Sequence, residues 1–138
     1  MKDIADLLGR ILLGIIFLYE AIDSMLFYDS MKATMHKYGI DFSQDFFLRT
    51  AIVILFLSSI TVIIGYFARI GATVLFIYWF LFTSVVYSFW NDPIDLQRVN
   101  ALAYIRNMAI CGGLLMVIAH GSGKYSIKRL IHVMKLPK

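Results

Sequence analysis

The chain has 138 residues, 60% of them hydrophobic and 16% charged, with a formal net charge of +4. Its mean hydropathy of +0.77 excludes an ordinary water-soluble domain. The single cysteine, Cys111, excludes an intrachain disulfide and a CxxC pair, and with them disulfide exchange run by this chain alone.

Four apolar runs, residues 4–27, 46–67, 70–90 and about 101–119, are each long enough to span a bilayer. They predict an all-α fold, a single integral membrane four-helix bundle over residues 1–138 with no separate soluble domain. The first run reads as a retained helix. Arg10 interrupts it, and no small-residue cleavage site precedes Glu20 and Asp23. It runs outward and ends near Tyr28.

The connector from Asp29 to Asp45 places Met31, Met35 and Tyr38 on one face of a short helix at the outer interface. Lys32, His36 and Lys37 surround that face, and Gly39 stops the helix. A plain polar loop is the alternative. Ser43 is the expected N-cap of the second spanning helix, with Asp45 in its first turn. The short turn from Gly65 to Arg69 makes the second and third helices antiparallel neighbours. The third ends in an aromatic belt, Tyr87, Phe89 and Trp90. Asn91-Asp92-Pro93 breaks it, and a polar loop is expected up to Asn100.

The fourth helix carries Gly112-Gly113, a place for another helix to approach closely. His120-Gly121-Ser122-Gly123 terminates it. In the tail, residues 124–138, Ile127, Leu130, Ile131 and Met134 recur at i, i+3, i+4 and i+7. Lys124, Lys128, Arg129 and Lys135 surround them, which predicts a short amphipathic C-terminal helix on an anionic membrane surface. A simple orientation anchor is the alternative. Lys2, Arg69, Lys124, Lys128, Arg129, Lys135 and Lys138 fall on one flank of the membrane, against Lys32, Lys37 and Arg98 on the other. The positive-inside rule then places both termini in the cytoplasm. The basic balance reads as topology, not as a signal for nucleic acid. A faint parallel repeat pairs Arg10-Ile11 and Phe17-Leu18-Tyr19 with Arg69-Ile70 and Phe76-Ile77-Tyr78.

Carboxylates in hydrocarbon are costly unless protonated, paired or wetted. From the helical rise, Glu20 lies about 7 Å and Asp23 about 11 Å from mid-membrane toward the outer face. Arg49 enters its helix at a depth like that of Asp23, and Arg106 at a depth near that of Glu20. These four are expected to neutralise one another, with Asn107 and Tyr87 at a similar level. The functional reading is a polar, ligand-binding pocket for a hydrophobic molecule with a polar head, such as a quinone or other isoprenoid. The alternative is a salt-bridge network that only fixes packing. No metal-ligand spacing appears. Gly121-Ser122-Gly123-Lys124 is too short for a phosphate loop and follows no strand.

The segment from Arg106 to Ser126, with its Arg-Asn pair, Gly112-Gly113-Leu114-Leu115 and Gly121-Ser122-Gly123-Lys124-Tyr125-Ser126, resembles the closing motif of the DoxX family. Gly9-Arg10-Ile11-Leu12-Leu13-Gly14-Ile15-Ile16-Phe17 resembles the family's first helix, and Gly65-Tyr66-Phe67-Ala68-Arg69 its turn after the second. The resemblance implies a four-helix protein of the bacterial cytoplasmic membrane. It ties the chain to small subunits of thiosulfate–quinone or terminal quinol oxidation systems and to partners among redox-stress enzymes. Ala21 and Ser24 stand where Gly and Lys are common, and Lys128 stands where Asp is common, so Glu20 and Asp23 are not a family signature.

The leading reading is a subunit or accessory factor of a quinone-linked redox system. Any oxidoreductase role would need a bound quinone or a partner enzyme. A non-enzymatic scaffold or assembly factor is the second reading, and a small-solute transporter the third. Expected partners are membrane lipid, redox enzyme subunits and a second copy of the chain.

Overall fold

The first helix carries too much charge to cross a bilayer as a plain apolar rod, and it bends where the apolar run gives out. α1 (Lys2–Leu26) and α2 (Tyr28–Lys37) meet at an angle of 93°. α3 (Gln44–Ile64), α4 (Ala68–Val86) and α5 (Ile94–His120) follow, and α6 (Ile127–Met134) closes the chain. A 3-10 turn, Phe89–Asn91, links α4 to α5. The computed structural model describes residues 1–87, 89–121, 123 and 125–135, with Phe89 described by its backbone alone. Ser122, Lys124, Lys138 and the side chain of Phe89 in the aromatic belt therefore lie outside the described residues. Among those described there is no strand.

α3, α4 and α5 are each long and apolar enough to cross a membrane, and the bent pair α1–α2 brings the number to four if it is taken as one span. The connector helix is the amphipathic one expected, ending before Gly39 at φ +76°. Two local expectations fail. Ser43 sits at the N-cap of α3, but its backbone is left-handed (φ 50°) and its side chain caps nothing; Gln44 Nε2 donates instead to the Ile40 carbonyl at 2.7 Å. The loop expected up to Asn100 is helical. Pro93 stands at the N-cap, where its missing N–H costs nothing, and Asn100 Nδ2 donates to Asp92 Oδ2 at 2.5 Å. α5 is thereby 27 residues long, about 40 Å at the helical rise.

The helices pack as two antiparallel pairs, α1 on α3 and α4 on α5, joined chiefly through α3 and α4. Phe17, Leu55, Val62, Leu75, Trp79 and Leu114 form one contiguous hydrophobic core. Small residues let the backbones close up, as membrane helices require. Gly14 lies against Ile63 and the Ser59 carbonyl, and Gly71 against Thr61 and the Ser58 carbonyl. α1 and α5 touch more lightly, at Leu13 and Gly113. A Cβ on Gly113 would meet Leu13 at 3.2 Å, whereas nothing lies within 4 Å of one on Gly112. The two glycines are adjacent, so they point about 100° apart; Gly113 packs helices and Gly112 faces outward. Gly71→Leu is expected to cost about 1–3 kcal/mol by overpacking the α3–α4 contact, with Gly112→Leu nearly neutral, both read from unfolding in mixed micelles.

Candidate functional site

Three of the six residues expected at the polar pocket come together. Glu20 on α1, Tyr87 at the end of α4 and Asn107 on α5 line one lateral cavity of about 420 Å³ with Ile15, Ile16, Tyr19, Trp79, Phe82 and Ile110. It is a polar-edged slot with an aromatic wall: Trp79 and Phe82 stack at 5.3 Å and 19°, and Phe17 meets Trp79 edge-on at 5.2 Å. Trp79 Nε1 and Thr83 Oγ1 are enclosed and, among the described residues, have no hydrogen-bond partner. Sequence reasoning places Thr83 on α4 at the level of Tyr87 but misses Trp79; an indole one turn before that hydroxyl on an apolar helix was the available signal.

Asp23, Arg49 and Arg106 do not line this cavity. Asp23 is half-buried on α1. Leu48 is buried, which turns its neighbour Arg49 outward. There Arg49 edges a separate groove with Asp45, Phe46, Thr50, Val53 and Ile54. Asn107 faces the cavity, so Arg106 also turns outward, its Nε donating to the Leu102 carbonyl of its own helix at 3.4 Å. Among the described residues no ion pair joins Glu20 or Asp23 to Arg49 or Arg106. The expectation that the four neutralise one another fails on helical register: depth was matched, azimuth was not. Asp45 instead accepts from Tyr28 Oη at 2.8 Å and pairs with Lys32 at 3.1 Å. Tyr38 Oη donates to the Val86 carbonyl at 3.0 Å, and His36 pairs with Asp41.

The buried charge is at the opposite end, where both termini lie. Arg10 is 1% exposed. It pairs with Asp6 at 3.2 Å and donates to the carbonyls of Val62 at 3.3 Å, Ile63 at 3.5 Å and Tyr125 at 2.5 Å. The first two close the C-terminal end of α3, where unpaired carbonyls and the helix dipole favour a cation. Gly65, at φ +76°, makes room: a Cβ there would come within 2.6 Å of the guanidinium and 2.5 Å of Ser126 Cβ. Gly123 leaves space for Asp6. Ser126 then caps α6, accepting from the Arg129 N–H at 3.3 Å and donating to the Gly123 carbonyl at 3.0 Å. Gly123 and Ser126 of the closing motif, together with Gly65, thus form the mould around Arg10 and Asp6. On α6, Lys128, Arg129 and Lys135 are exposed, as are Ile127, Leu130 and Met134.

The DoxX family model matches residues 5–88, from the first turns of α1, Arg10 included, to the link after α4. The chain belongs to the DoxX family. The match contains the Gly9–Phe17 and Gly65–Arg69 segments and stops short of the Arg106–Ser126 motif. Two curated relatives extend beyond it. Inner membrane protein YqjF of Escherichia coli (strain K12) is 27% identical over 135 residues, covering 96% of this chain and 95% of its own. Inner membrane protein YphA of the same organism is 27% identical over 124 residues, covering 89% and 87%. No solved structure matches. With its apolar spans, this DoxX chain is a multi-pass protein of the bacterial inner membrane.

Two contrasts follow for stability in mixed micelles. Arg10→Gln is expected to cost about 3–5 kcal/mol, because it strands a half-buried acid and several carbonyls, and Arg10→Lys does not restore the loss because a point charge cannot serve the same fan of acceptors. Glu20→Gln is expected to be neutral or stabilising, since no ion pair is broken. Thr83→Val, which removes an unpartnered buried hydroxyl at constant shape, is likewise expected to be neutral or stabilising.

Proposed function

We propose that this DoxX protein is a membrane subunit or accessory factor that holds the polar head of a lipid-soluble molecule, a quinone or other isoprenoid, in the cavity at Glu20, Tyr87 and Asn107. The observation that carries this reading is the meeting of three polar side chains from three helical segments at one cavity that is otherwise apolar and aromatic. Ligand sites in membranes and elsewhere have this make-up: mostly apolar walls with a few polar groups that fix orientation. The Asn107 amide and the Tyr87 hydroxyl can donate to a ring carbonyl. Glu20 offers a carboxyl that accepts from a hydroxyl when ionised and donates when protonated. The flat Trp79–Phe82 wall suits a ring, and the apolar flank of Ile15, Ile16 and Ile110 suits a tail. Electrons would be exchanged with a partner enzyme. In this reading residues 1–138 form one four-helix membrane domain with both termini cytoplasmic, and Lys128, Arg129 and Lys135 hold α6 on the anionic leaflet.

A second reading, a scaffold or assembly factor, is favoured by α5. Arg106 is exposed to the side of the bundle, and its hydrogen bond stays within its own helix, to the Leu102 carbonyl. A partner helix carrying an acid would fit that face.

Purification in mild detergent followed by lipid extraction and mass spectrometry separates the two. The first reading expects a co-purifying quinone or isoprenoid that falls about tenfold or more in Glu20→Gln/Asn107→Leu, a change matching the loss of one or two hydrogen bonds to the head. Absence of any such lipid, or retention by the double variant, would sink it.

A further inference from the structure

The repeated arginines of the sequence do the same thing in the fold. Arg10 grasps the C-terminal carbonyls of α3, the inward partner of α1. Arg69 donates through Nη2 to the Ala119 carbonyl, at 3.5 Å, on the last turn of α5, the partner of α4. A left-handed glycine sits against each: Gly65 (φ 76°) at Arg10, and Gly121 (φ 71°) at Arg69, whose Nε would lie 2.7 Å from an added Cβ.

The two clasps differ in what completes them. Arg10 is sealed by the Asp6 carboxylate, four residues earlier, and by the Tyr125 carbonyl. The residue four before Arg69 is Gly65, which offers no side chain. Arg69 is exposed, and among the described residues it makes that one long hydrogen bond and no ion pair. A guanidinium has five N–H donors in a fork that matches phosphate.

Its surroundings mark the membrane boundary. Tyr66 and Phe67, 39% and 55% exposed, meet edge-on at 4.4 Å immediately before it; aromatic side chains of this kind sit at headgroup level. Ile70, 63% exposed, follows on the spanning side. Charge therefore stands at the headgroups and apolar surface beneath it.

We propose that Arg69 is a binding site for the phosphate of an anionic phospholipid of the leaflet on the termini side. The lipid takes the place that Asp6 holds at Arg10, with its acyl chain along Ile70.

The test is native mass spectrometry of the full chain in mild detergent, titrated with phosphatidylglycerol or phosphatidylcholine. Wild type is expected to prefer phosphatidylglycerol for its first bound lipid by about fivefold, the worth of one cation near an anionic surface. Arg69→Gln is expected to abolish the preference, and Arg69→Lys to keep part of it. The triple variant Lys128→Gln/Arg129→Gln/Lys135→Gln is expected to keep it, which separates this site from α6. A preference unchanged in Arg69→Gln, or lost only in the triple variant, overturns the proposal. Phenylglyoxal labelling of wild type, mapped by peptide mass, gives a readout that needs no variant. Phosphatidylglycerol is expected to protect Arg69 where phosphatidylcholine does not, and equal labelling in both also overturns it.

Discussion

One buried guanidinium organises the termini end of this protein. Arg10 ties together α1, α3 and the segment leading into α6. It does so through backbone carbonyls, which every sequence supplies, and through one acid on its own helix. The free energy of such an arrangement is asymmetric. Burying the ion is expensive, and the acceptors offset that cost only while all of them are present. This makes the interaction a poor source of bulk stability and a strong specifier of geometry: α1 in any other register against α3 leaves a charge stranded in apolar surroundings. The left-handed glycine at position 65 belongs to the same constraint, since it both turns the chain and leaves room for the guanidinium.

Elsewhere the packing uses size instead of charge. Lipid chains are as apolar as leucine, so helices gain little by hiding apolar faces from them and gain more by close backbone approach. Gly14 and Gly71 give α3 a tight neighbour on each side. The α1–α5 seam is more lightly packed, with its close approach at Leu13 and Gly113, and the lateral cavity lies beside it. Its polar residues are therefore placed by helices that are firmly fixed to their own partners and loosely fixed to one another.

Much of this was legible in the sequence. Run lengths gave the spans, Gly39 and Gly65 gave the stops, and periodicity gave the two amphipathic helices. Depth along a helix could be counted, which put Glu20, Tyr87 and Asn107 at one level, and the three line one cavity. What counting cannot supply is azimuth between helices that have not yet been docked. Arg49 and Arg106 share the right depth but face away, because buried Leu48 and cavity-facing Asn107 fix the rotation of their helices. Polarity also misled at residues 94–100. A polar segment after proline reads as loop, yet it extends α5 as a helix because a span need not end where its apolar run begins. Arg10 was visible as an interruption of the apolar run and as one half of a faint repeat, not as a buried anchor. Its importance depends on carbonyls, which carry no sequence signature, and on contacts 52 to 115 residues distant.

The 93° bend between α1 and α2 has a mechanical consequence. Beyond it α2 crosses the ends of its neighbours, tied to α3 through Asp45 and to the end of α4 through Tyr38. The bundle is thus lashed at one end by a strap of surface contacts and riveted at the other by arginine. Between the two fastenings the α1–α5 seam beside Glu20 and Asn107 is the lightly packed contact, so a sideways opening there would disturb the rest of the bundle least.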